Sequence, residues 1–144
     1  MILAESKIRF AGDIDKAWAK MVDWEHMQDW DHFMERMEFE GPFAPGMVGT
    51  LTMKGGRKVL LKVTEMVAEG AERHYTDEFS FLGSRFIFHH FIADLKTGQE
   101  NLEMRFAIEG QGLMISILRL QFARAFKKEL PRLMAKFKEQ FLAA

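Results

Sequence analysis

The chain has 144 residues, 48% of them hydrophobic and 28% charged, with a formal net charge of −1. That balance fits one folded domain with a sizeable core and argues against disorder. The absence of cysteine excludes disulfides, thiolate metal sites and a cysteine nucleophile, and the near-neutral total gives no global attraction for nucleic acid.

The charge is unevenly divided. Residues 1–110 hold 13 Lys+Arg against 19 Asp+Glu, and residues 111–144 hold 7 against 2. The 14 Phe and 11 Met, beside a single Tyr, suit either a large packed core or the wall of an apolar cavity. The longest uncharged run, Gly41 to Met53, is too short for a membrane span and contains Pro42 and Pro45. Glu5, Lys7 and Arg9 come too early for a secretory signal. The expected setting is therefore cytoplasmic, without integral membrane association.

The first element, Ile2 to Phe10, alternates as a strand does, with Ile8 and Phe10 against Lys7 and Arg9. Asp13 is placed to cap a helix whose Ile14, Ala17, Trp18, Met21 and Val22 share one face. A second short helical piece begins at Asp23-Trp24. Six period-two runs follow: Arg36–Glu40, Met47–Met53, Arg57–Met66, Arg73–Phe81, Arg85–Leu95 and Asn101–Glu109. Gly and Pro punctuate them, as an antiparallel meander requires. From Leu113 to Leu142 the apolar positions Ile115, Leu118, Phe122, Phe126, Leu130, Leu133, Phe137 and Phe141 recur every three or four residues. That spacing predicts a long amphipathic helix, with a kink expected at Pro131. The predicted class is α+β: a curved antiparallel sheet of about seven strands, in the order β-α-α-β6-α, wrapped around the C-terminal helix.

This order resembles the START-like, or SRPBCC, superfamily with its helix-grip fold, and within it the polyketide cyclase/dehydrase branch. The resemblance is carried by Ala17-Trp18, Val22-Asp23-Trp24 and Trp30-Asp31, by Pro45-Gly46 with Gly49 and Thr50, by Val63-Thr64-Glu65-Met66, and by His89-His90-Phe91 followed by Gly98, Leu102, Arg105 and Gly110. It covers nearly the whole chain. It implies a deep cavity between sheet and helix that holds an apolar small molecule such as a lipid, isoprenoid or polyketide, with cyclisation or dehydration in some members. It also places His89 and Phe91 inward. Met104 stands where relatives often have a polar residue, and Asp77 where an aromatic is common.

Alternation predicts the ligand-facing wall: Leu51, Met53, Val59, Leu61, Val63, Tyr75, Phe79, Leu102, Met104 and Phe106 on strands, with Leu118, Phe122 and Phe126 on the helix. If Leu82-Gly83-Ser84 forms an odd-length loop, Tyr75 and Asp77 lie beside His89 and Phe91. That is a candidate general-base constellation for enolising or dehydrating a carbonyl compound. By placing His89 and Phe91 inward, the resemblance implies that Phe86 and Phe88 lie on the convex face, a candidate homodimer surface. No metal site is expected, because His89 and His90 face opposite sides and His26 and His32 lack ligand spacing. No cofactor motif is present. The seven Lys and Arg of the helix read as a solvated face, with a membrane-surface helix as the rival. The Gly41–Gly46 loop, with Phe43 at its middle, reads as a lid or as a plain connection. Of three readings — apolar carrier, cyclase/dehydratase, interaction module — the sequence favours the carrier.

Overall fold

The computed structural model describes residues 1–144. In chain order the elements are β1 (Ile2–Phe10), α1 (Ile14–Val22), a 3-10 turn (Trp24–Asp29), β2 (Met34–Glu38), β3 (Val48–Met53), β4 (Lys58–Val67), β5 (Glu72–Phe81), β6 (Ser84–Asp94), β7 (Leu102–Gly112) and α2 (Leu113–Ala143). The strands make one antiparallel sheet of order β1-β7-β6-β5-β4-β3-β2. Its concave face carries the core, and α2 closes it as the helix-grip class requires.

Local chemistry explains the boundaries. The Asp13 carboxylate accepts hydrogen bonds from the backbone N–H of Asp15 at 2.7 Å and Lys16 at 3.3 Å, capping α1. Trp18 and Trp30 are buried and pin the short helices to the sheet. Trp30 meets Phe137 of α2 edge-on at 5.0 Å, and Phe10 meets Phe141 at 5.2 Å. Such aromatic pairs help hold α2 across the sheet. On α2, Ile115, Leu130, Leu133 and Phe137 of the expected stripe are buried, with Met134 beside them, while Leu118, Phe122, Phe126 and Phe141 are half-buried. The backbone keeps helical φ/ψ through Pro131. Its non-helical residue is Leu118, at φ −108° and ψ 16°. Proline keeps a helical φ and forfeits one backbone hydrogen bond, so it does not force a break by itself.

The β5–β6 connection differs from the expected odd-length loop. Phe81 pairs with Ser84, leaving a two-residue turn at Leu82-Gly83 with φ of 48° and 74°. Positive φ at both positions is the type I′ hairpin turn, whose twist matches the flanking strands. With two residues in the turn, odd positions of β5 face even positions of β6: Tyr75 opposes His90, Asp77 opposes Phe88 and Phe79 opposes Phe86. A one-residue change of parity exchanges the faces of a whole strand. His89 and Phe91 therefore stand on the convex side, and Phe86 and Phe88 on the concave side. The convex aromatic patch expected to seat a second copy does not exist, because Phe86 is buried against Phe79, Phe122 and Phe126.

Candidate functional site

A cavity of about 80 Å³ lies between the concave face of the sheet and α2. Of the wall expected from sequence, Leu51, Met53, Leu61, Tyr75, Phe79, Phe106 and Phe126 line it, as does the catalytic candidate Asp77. Val59, Val63, Leu102, Met104, Leu118 and Phe122 do not: Val63, Leu102 and Met104 are fully buried in packed core, and Phe122 covers Phe86. Face assignment cannot separate a residue that packs from one that borders a void. Phe43 is half-buried and packs edge-on to Tyr75 at 5.0 Å, outside the lining. Met27, Met34 and Met37 join Met53 on the wall. Unbranched methionines give the wall adaptable volume.

The polar groups converge on one side. Asp77 is 4% exposed, and its Oδ1 is buried with no hydrogen-bond partner. Burial pushes its carboxyl well above the ordinary range, and the charge of Asp31 pushes it further. Asp31, in the loop before β2, lines the same cavity and accepts a hydrogen bond from the Phe33 N–H at 3.0 Å. Desolvation raises its carboxyl to about 7, against the lowering by that bond.

Tyr75 is 1% exposed and donates its O–H to the Met21 carbonyl at 3.3 Å, tying β5 to α1. Its proton is thus engaged in structure. Burial, then Asp77 and Asp31, raise its pKa. His90 stacks on the Tyr75 ring at 4.0 Å and meets Phe106 edge-on at 4.8 Å. Its Nδ1 lies 3.4 Å from the Tyr75 carbonyl, so Nδ1–H donates there and Nε2 remains an acceptor. Burial lowers its pKa to about 3, which leaves it neutral at ordinary pH.

His89 borders the cavity but directs its ring nitrogens elsewhere. Nε2 is 3.1 Å from Glu109 Oε2, and Nδ1 is 3.5 Å from Thr76 Oγ1. Phe91 lies on the convex face beneath the Arg105 guanidinium, 4.1 Å from the ring centre. Of the three expected residues, Tyr75, Asp77 and His89 all border the cavity, but the ring that stacks on Tyr75 is that of His90, and Asp31 adds a second carboxylate. Asp31 escaped the sequence reading because it sits in a loop without periodicity, and its signal was the quoted Trp30-Asp31 pair. A bulge at Thr64, between the pairs Val63–Asp77 and Glu65–Thr76, borders the site. Such bulges re-aim strands beside functional sites. No group of three His, Asp or Glu side chains converges as metal ligands do, and no helix is long and apolar enough to cross a membrane.

Chains of the same fold are known. Norcoclaurine synthase from Thalictrum flavum, solved with dopamine and hydroxybenzaldehyde, superposes with a TM-score of 0.69 at 12% identity, covering 97% of this chain and 86% of that one. Ara h 8.0201 superposes at 0.71 with 15% identity, covering 98% and 97%. A Mesorhizobium loti protein superposes at 0.73 with 11% identity, covering 97% and 96%. At these identities the likeness is one of fold. No curated protein matches the sequence. The family described as "Polyketide cyclase / dehydrase and lipid transport" matches residues 1–141. With its helix-grip sheet and its cavity under the C-terminal helix, the chain belongs to that family.

Proposed function

We propose that the protein binds a compact apolar molecule whose single polar group, a carbonyl oxygen, meets Asp77 at the cavity floor. The observation that carries this reading is the orphaned Oδ1 of Asp77, in a cavity wall of mostly apolar side chains. An unpartnered buried polar atom costs about 1–3 kcal/mol. Burial raises the Asp77 carboxyl and favours its protonated form, whose O–H can donate to a carbonyl oxygen.

The cavity of about 80 Å³ is smaller than the roughly 300 Å³ at which drug-sized ligand pockets begin. A single ring fits that scale once the methionines shift, and a long acyl chain does not. The norcoclaurine synthase neighbour, solved with two single-ring compounds, supports the same size class.

The test is calorimetric titration with acetophenone and with ethylbenzene, which has the same body and no carbonyl. The ketone is expected to bind at least about tenfold more tightly, the worth of one hydrogen bond to a charged or strongly polar group. Equal binding, or none by either, would overturn the reading.

Asp31 favours a second reading, proton transfer beside the bound carbonyl. Its carboxylate removes a proton from the carbon next to the carbonyl. The C–H electron pair moves into the enolate, and the Asp77 O–H holds the developing oxyanion. A base poised near neutrality suits that step. Deuterium exchange into the acetophenone methyl group, lost in Asp31→Asn, is the expected signature. A rate no faster than in buffer removes this reading and leaves the binding one standing.

A further inference from the structure

A cluster of exposed apolar side chains at the far end of the β5–β6 hairpin has no role in the core or the cavity. Leu113, Ile117 and Leu120 of α2 are 75%, 70% and 72% exposed. Leu82 at the hairpin tip is 65% exposed, and Met1 and Ile2 are about half exposed. Three segments bring them together. Ser84 pairs with Gly112, and a Cβ on Gly112 would lie 2.6 Å from the Gly83 carbonyl oxygen, so the hairpin tip abuts the start of α2. Met1 and Ile2 share a groove with Arg119, Leu120 and Lys127.

Two features of this end run against what folding alone would select. Leu82 holds φ at 48°, where a leucine is strained and Asn or Gly is the ordinary choice. The first turn of α2 carries no acidic residue, although its N-terminus favours one. Instead the exposed face has Leu113, Ile117 and Leu120. Strain and exposed apolar area without structural return mark a surface with a partner.

The charge identifies the partner. From Leu113 to Lys128 the helix has four cations, Arg119, Arg124, Lys127 and Lys128, and no acid. All four are exposed, and none is in an ion pair. Arg85 flanks the hairpin tip beside Gly83 and Gly112. The nearby acids are engaged: Glu109 with His89 and the N-terminal amine, Glu5 with Arg105, and Glu78 faces Arg85 at 3.9 Å. Protruding leucines ringed by unpaired cations match a bilayer whose surface is anionic.

We propose that Leu82, the N-terminal residues and the outer face of α2 from Leu113 to Lys128 form a docking surface for an anionic lipid bilayer. The apolar side chains enter the interface, and the cations meet the headgroup phosphates. The family description includes lipid transport, but the surface stands on its own residues and does not require the cavity's ligand.

The test is flotation of the full chain with vesicles of phosphatidylcholine alone and of phosphatidylcholine mixed with phosphatidylglycerol. The bound fraction is expected to rise at least about tenfold on the anionic vesicles and to fall as salt is added. Leu82→Asn, which suits the type I′ turn, and Ile117→Gln are expected to abolish binding while the protein stays folded by circular dichroism. Arg124→Gln with Lys127→Gln is expected to remove the preference for anionic lipid. Equal flotation on both vesicles, absence of flotation, or retention by the Leu82→Asn, Ile117→Gln double variant would overturn the proposal. So would sedimentation showing a dimer that Ile117→Gln dissolves, since the surface would then belong to a second copy.

Discussion

His89 and His90 are adjacent in sequence and opposite in environment. His89 stands on the convex face of β6, with Glu109 and Thr76 on its two nitrogens. His90 stands on the concave face, stacked on Tyr75, with burial holding it neutral down to about pH 3. The same division holds along the hairpin: Asp77 faces the cavity without a partner, while its neighbour Glu78 faces Arg85 outside. The pleat of the strand and the two-residue turn at Leu82-Gly83 decide which side chain receives which environment. Chemistry in this fold is therefore set by register as much as by residue type.

The sharpest break of that comparison uses one residue type on both faces. Phe86→Ala, in buried core, is expected to cost about 3–5 kcal/mol in urea unfolding, whereas Phe91→Ala on the convex face costs about 1 kcal/mol. Equal losses would mean that the faces are misassigned. Next in size, Asp77→Leu is expected to raise stability by about 1–3 kcal/mol by removing an unpaired buried carboxyl, and Glu78→Leu to stay within about 0.5 kcal/mol.

The pH dependence follows from Asp31. Its folded-state pKa lies above its unfolded value, so the unfolded chain loses the proton first as pH rises. Stability from this group is full below the unfolded value of 3.8 and declines until pH reaches about 7. Asp31→Asn is expected to lessen the fall in thermal stability across that window, with the Asp77 carboxyl, also raised, supplying the rest. His90 works in the opposite sense: its lowered pKa removes stability as pH falls from 6.5 towards 3, so the two are separated by measuring the single variants. The smallest effect is expected from His89→Gln, which loses a half-exposed pair worth under about 1 kcal/mol and leaves acetophenone binding unchanged.

The element order, the sheet and the covering helix were legible because each has its own period, two for the strands and three to four for α2. The turn at Leu82-Gly83 hid the register, since Leu occupies the position where Asn usually announces a type I′ hairpin. The resemblance implies His89 and Phe91 inward, whereas the two-residue turn puts His90, Phe86 and Phe88 on the concave side beside Tyr75, Asp77 and Phe79. Asp31 lay in a loop, where no periodicity points a side chain. Val63, Leu102 and Met104 share a face with the cavity wall, and only three-dimensional packing separates them from it. The outer face of α2 was read through its cations. Leu113, Ile117 and Leu120 fall beside the buried stripe rather than on it, so the three-to-four spacing does not single them out.

The most direct test is a paired thermal denaturation of the wild-type protein and Asp77→Leu, each with and without acetophenone. The account predicts that the variant melts higher without ligand and that the ketone stabilises only the wild type. A variant that melts lower, or that keeps the full ligand shift, would contradict the claim that Asp77 is held unpaired in the cavity to meet a bound carbonyl.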